Sequence, residues 1–164
     1  MVARYFSRIS GTAVVLENRA WNAQRQAWWT TITPSAGHLN SWFHFPIPSP
    51  SSSPSSSQEG EDGGLRATSA SVRFQTGSGA TVRQYLVADG EIVRFNGENL
   101  SLAQPKMAVC TRDIPGEPQV SNSLVITFQV EFSGITPENY IRLSWAEVSF
   151  AEAERGPEVG LLTL

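Results

Sequence analysis

Apolar residues recur at every second position along most of this chain, and no window carries a 3.6-residue stripe. The clearest run is Leu124, Ile126, Phe128, Val130 and Phe132, interleaved with Thr127, Gln129 and Glu131. That alternation describes an antiparallel strand with one face in a core and the other toward solvent. Similar patterns predict strands over Thr12–Leu16, Ala27–Thr33, Ser41–Pro46, Thr68–Gln75, Thr81–Ala88, Glu91–Phe95, Lys106–Thr111, Ser123–Phe132 and Tyr140–Ala151. Only Leu16–Gln26 and Phe150–Glu154 offer short stretches that a helix would accept. About nine short strands separated by turn-rich segments predict an all-β fold, an antiparallel sandwich of jelly-roll type or a squat barrel. Its core is expected to hold Leu124, Ile126, Phe128, Val130, Ile141 and Leu143.

Two local signals sharpen this reading. Asp89-Gly90 lies between apolar runs and accepts the positive φ angles of a tight hairpin turn. A loop of those two residues places Val87 opposite Ile92, Leu86 opposite Val93 and Tyr85 opposite Arg94. In the last strand the apolar positions are Ile141, Leu143 and Trp145, then Ala146, Val148 and Phe150. Such a change of phase requires a β-bulge near Trp145-Ala146 or a strand that changes sheets there.

The segment after Pro46 breaks the pattern. It reads PIPSPSSSPSSSQEGEDGG to Gly64 and has no apolar residue beyond Ile47. Too little apolar surface is available to offset its ordering entropy, so a flexible Ser/Pro-rich loop is expected at about 48–64. Otherwise residues 1–164 read as a single domain with a sizeable core.

Composition narrows the chemistry. Charged residues make up 16% of the chain and the net charge is −3, leaving no basic surplus for a nucleic acid. No apolar run approaches the ~18 residues of a membrane-spanning helix, and no secretory signal pattern opens the chain, so a cytoplasmic location without membrane attachment is expected. One cysteine, Cys110, excludes an internal disulfide. His38 and His44 match no common ligand spacing, so neither a metal nor another cofactor is expected. No nucleophile elbow or phosphate loop is present.

Aromatic supply stands out instead. Trp21, Trp28, Trp29, Trp42, Phe43 and Phe45 are followed by Phe74, Tyr85, Phe95, Phe128, Phe132, Tyr140, Trp145 and Phe150. On a strand, adjacent Trp28 and Trp29 point to opposite faces, so one of them needs cover from outside the core. An excess of rings over charge predicts a hydrophobic small molecule held in an aromatic-lined cavity. Its expected walls are Trp28, Trp29, Trp42, Phe43 and Trp145, with His44, Tyr85 and Arg94 as catalytic polar groups. His44, desolvated among rings, is the candidate acid, and Arg94 opposite Tyr85 would orient the phenol or meet a carboxylate.

Residues Ser41-Trp-Phe-His-Phe-Pro-Ile-Pro-Ser-Pro50, with Phe74-Gln-Thr-Gly77 and Val87-Ala-Asp-Gly90, resemble a group of small uncharacterised microbial β-sandwich proteins. The likeness spans roughly residues 40–150, departs at the serine-rich insert and implies the fold without an activity. By analogy with small stand-alone cyclases of secondary metabolism, the cavity would serve a metal-free, cofactor-free cyclase or isomerase that folds its substrate into a reactive conformer. A protein-interaction module, with exposed aromatics forming a homodimer face, is the alternative. A carbohydrate-binding sandwich, with exposed tryptophans stacked on sugar rings, is a further one.

Overall fold

The computed structural model describes residues 4–48, 65–121 and 123–152. The Ser/Pro-rich stretch expected to form a flexible loop therefore lies, beyond Pro48, outside the described residues. Eleven strands are described: β1 (Arg4–Ser10), β2 (Val15–Leu16), β3 (Asn22–Arg25), β4 (Thr30–Thr33), β5 (Asn40–Ile47), β6 (Leu65–Thr76), β7 (Ala80–Asp89), β8 (Ile92–Gly97), β9 (Ala108–Asp113), β10 (Leu124–Phe132) and β11 (Ile141–Glu152).

They form two antiparallel sheets packed as a β-sandwich, as the alternating pattern predicts. One sheet runs β3-β4-β11-β6-β9, with β1 also paired to β11; the other runs β2-β5-β10-β7-β8. Facing apolar positions interdigitate between them. Leu124, Ile126, Phe128, Val130, Ile141 and Leu143 are all fully buried. Rings meet edge to face within the core: Phe74 and Phe128 at 5.4 Å between the sheets, and Tyr85 and Phe128 at 4.7 Å on neighbouring strands. Trp21 closes one end against Phe43 and Phe132, its indole N–H donating to the His38 carbonyl at 2.6 Å.

The expected bulge is present, and its structural purpose is visible. On β11, Ile141–Leu143 pair with β4, whereas Trp145–Ala151 pair with β1. Against β6 the register slips between Leu143 and Trp145, leaving Ser144 as the extra residue. The bulge thus sits where β11 exchanges one neighbour for another. Gly11, buried at the end of β1, fits against the backbone there, and a Cβ on it would strike the Leu143 carbonyl oxygen.

Three local expectations are corrected. Leu16–Gln26 and Phe150–Glu152 are not helical, because Asn22–Arg25 pairs with β4 and β11 runs on to Glu152. Ala23 alone of the β3 residues packs on the core, too little apolar surface for a helical face. The β7–β8 hairpin is displaced by one residue: Asp89 pairs with Ile92, so the loop is Gly90-Glu91, with positive φ at Gly90. Glycine at the first loop position suits a II′-type turn. A bulge then leaves Arg94 extra, Val87 faces Phe95, and Tyr85 faces Gly97 instead of Arg94. Finally, Trp28 and Trp29 do not lie on a strand. Arg25 pairs with Thr30, and the Gln26 N–H donates to the Trp29 carbonyl at 2.9 Å, closing a loop that carries both rings.

Candidate functional site

Most residues expected to share a cavity are separated by the sheets. Phe43 and Tyr85 point inward and are completely buried. Trp42 and His44 alternate with Phe43 on β5 and point to the opposite, outer face, where the His44 Nδ1 lies 3.1 Å from the Thr127 hydroxyl. Arg94 is committed elsewhere, its guanidinium 2.9 Å from the fully buried Asp89 carboxylate. That carboxylate also accepts the Ser121 backbone N–H at 3.0 Å, so the pair ties the hairpin to the loop before β10. Trp145 lies on the outer face of the other sheet under Arg8, 4.3 Å from its ring, and Arg8 in turn pairs with Glu147.

Tyr85 has an unusual environment. Its ring packs on Phe95 and Phe128, and its hydroxyl has no hydrogen-bond partner among the described residues. Burial, with the nearby Cys110 adding to it, pushes the phenol well above its ordinary value. Cys110 is raised too, by burial, with Arg112 opposing the shift. Neither group has the depressed pKa of an activated nucleophile.

Trp28 and Trp29 do meet polar side chains, on the outer face of the β3-β4-β11-β6-β9 sheet. A cleft of about 380 Å³ is lined by Trp28, Trp29, Arg73, Gln75, Met107, Arg142 and Ser144. Trp28 is 75% exposed, the most exposed large apolar side chain among the described residues. Register explains the convergence. Arg142 and Gln75 are cross-strand partners on β11 and β6, and Arg73 precedes Gln75 by two residues, so all three emerge from one face. The β11 bulge adds Ser144. From the loop between β3 and β4, the two tryptophans lean over this row.

Arg142 is held in place. Its guanidinium lies 4.8 Å from the Tyr140 ring and 5.9 Å from the Trp29 ring, within cation–π range. Gln75 donates to the Pro105 carbonyl at 2.9 Å and accepts from Arg142 at 3.4 Å, so its amide is oriented from both sides. The result is an open apolar platform edged by fixed, planar hydrogen-bonding groups. Sequence reasoning singled out the two tryptophans but not Arg73, Gln75, Met107, Arg142 or Ser144. The phase change expected near Trp145-Ala146, which the structure places at Ser144, was a readable pointer to this place.

Two other clefts are described. One of about 390 Å³ joins Trp42 to Glu17, Asn18, Asn40, Ser41 and Gln129. Another, of about 1050 Å³, lies between Arg4, Arg66, Asp113, Glu117 and Glu152 and has no aromatic side chain among the described residues. Among the described residues no group of three or more His, Cys, Asp or Glu side chains is placed to hold a metal ion.

A mutant of a family 29 carbohydrate-binding module is similar in structure, with 12% identity, a TM-score of 0.51, and coverage of 90% of this chain and 92% of that one. That likeness supports the two-sheet fold. A second family 29 module, from Piromyces equi, matches at 11% identity and a TM-score of 0.41, covering 90% and 91% of the two chains. A family two carbohydrate esterase from Cellvibrio japonicus matches at 9% identity and a TM-score of 0.42, with 96% of this chain and 38% of that one covered. No curated protein sequence matches. The chain belongs to a family of unknown function, DUF6623, whose model matches residues 9–150.

Proposed function

We propose that this member of the DUF6623 family is a non-catalytic carbohydrate-binding β-sandwich, with the Trp28–Trp29 cleft as its sugar site. The observation that carries the reading is Trp28, 75% exposed beside a cleft whose polar edge consists of planar Gln75 and Arg142. A pyranose ring has an apolar C–H face and an equatorial fringe of hydroxyls. An indole covers the first; amide and guanidinium groups of fixed orientation read the second. The cost of leaving so large a ring in water is repaid when a ligand covers it. Family 29 carbohydrate-binding modules show that a similar sandwich can serve such a purpose, although fold alone assigns no function.

Binding is tested with a panel of soluble plant, fungal and bacterial polysaccharides by affinity electrophoresis, followed by calorimetry on oligosaccharides from any that retard the protein. Trp28→Ala is expected to abolish retardation, while Trp42→Ala and His44→Ala, on the other sheet, leave it unchanged. Absence of retardation by every polysaccharide, or binding that survives Trp28→Ala, would overturn the proposal.

A further inference from the structure

Resting on the glycan-binding reading of this cleft, we infer that its preferred ligand is an acidic sugar, with Arg73 and Arg142 receiving a carboxylate or sulfate while the sugar ring lies on Trp28. Arginines of the sheets are used in different ways: Arg8 meets Glu147, Arg83 meets Glu131 and Arg94 meets Asp89. Arg25 and Arg66 reach backbone carbonyls, and Arg4 and Arg112 meet no carboxylate among the described residues. Arg73 and Arg142 meet no carboxylate among the described residues, although each has a neighbouring strand on which one could stand. Of the described residues lining the cleft, two are cationic and none is acidic. This occurs in a chain whose net charge is −3, so the local positive charge opposes the overall balance.

Arg142 is also prepared for an anion. Its charge is fixed between the Tyr140 and Trp29 rings, and among the described residues its polar contact is one long bond to Gln75 at 3.4 Å. Its Nε is buried with no hydrogen-bond acceptor among the described residues. A guanidinium in this condition retains donors for a planar, two-oxygen acceptor, and such charge-assisted pairs are roughly twice as strong as neutral hydrogen bonds. Arg73, exposed on the adjoining strand, supplies a second cation without rearrangement of the sheet. Hydroxyl groups alone would leave both charges uncompensated; a uronate or a sulfated sugar would neutralise them.

The test compares matched ligands: oligogalacturonate against its methyl ester, and a sulfated galactan oligosaccharide against its desulfated form. Calorimetry in low salt is expected to show at least one acidic member binding roughly tenfold or more tighter than its neutral counterpart, with the preference narrowing in 0.5 M salt, an estimate from screening and charge-assisted bonding. Arg73→Gln should erase most of the preference while retaining neutral binding, whereas Arg142→Gln should erase the preference and weaken neutral binding as well. Trp28→Ala should abolish both. Because Arg142 packs against two rings, a thermal melt accompanies its variant; exposed Arg73 decides the question if Arg142→Gln is unstable. Equal binding of acidic and neutral members would overturn the acidic-ligand inference and leave the glycan site standing. No binding of either member in both pairs would overturn the acidic-ligand inference, while retardation by any other polysaccharide would still uphold the glycan site.

Discussion

Replacing Tyr85 with phenylalanine should stabilise the protein. The ring is fully buried and packs edge to face on Phe95 and Phe128, contacts that phenylalanine keeps. The hydroxyl is buried without a partner among the described residues. A buried, unsatisfied hydroxyl costs about 1–3 kcal/mol relative to its hydrated state. Its removal leaves an oxygen-sized void of about 10–15 Å³, a penalty of about 0.3 kcal/mol. The expected net gain is therefore about 1–2 kcal/mol, or about 2–8 °C in melting temperature for a domain of this size. Urea unfolding at pH 7 and calorimetry measure it directly.

The same substitution has a pH signature. Burial raises the folded-state pKa above the ordinary value of 10.0, so the native protein holds the phenol neutral while the unfolded chain ionises it. Stability from this group is fully present below pH 10.0 and declines as the pH rises beyond it. The advantage of Tyr85→Phe should consequently widen above that pH. Destabilisation by about 1 kcal/mol or more at pH 7 would refute the reasoning, since it would mean that the hydroxyl makes a net favourable hydrogen bond.

Arg94→Ala should destabilise by about 3 kcal/mol, because it removes the cation paired with the fully buried Asp89 carboxylate; Arg94→Lys should recover part of the loss in the same urea titration. Gly11→Ala, which drives a methyl group into the Leu143 carbonyl beside the β11 bulge, should cost about 3 kcal/mol. Gly37→Ala is the control: the space around it is open, and only its positive φ of 80° opposes the change, at about 1 kcal/mol. His44→Ala should remove about 1 kcal/mol with the Thr127 contact, and leave titrations at the Trp28 cleft unmoved. A larger effect on binding than on melting would place His44 in a ligand site.

Alternation along single strands was sufficient to name the inward residues of β10 and the start of β11, because side chains on a strand change face at every step. The phase break at Trp145-Ala146 likewise announced the bulge, which falls at the adjacent Ser144, since a continuous strand cannot move its apolar set between faces without an extra residue. β1 escaped the same logic. Phe6 points outward while Tyr5 and Ser7 stand at the alternate positions, so the segment lacks an apolar face, and its pairing with β11 across the length of the chain leaves no local trace. Turn chemistry was legible only to within one residue: Asp89-Gly90 marked a hairpin, but the buried Asp89–Arg94 pair held Asp89 in the ladder and moved the loop to Gly90-Glu91.

The candidate site shows the same division more sharply. An excess of aromatic residues was evident from the sequence, but not whether each ring would fill the core or remain outside it. Eight of the sixteen rings filled the core, and Trp28 was left exposed because it stands in the β3–β4 loop that the Gln26–Trp29 bond closes. Arg73 and Gln75 meet Arg142 only because β6 and β11 pair in one particular register. A strand's period is a property of neighbouring residues, set by backbone geometry; the choice of partner strand and register is a property of the whole core, set by which faces must be buried together.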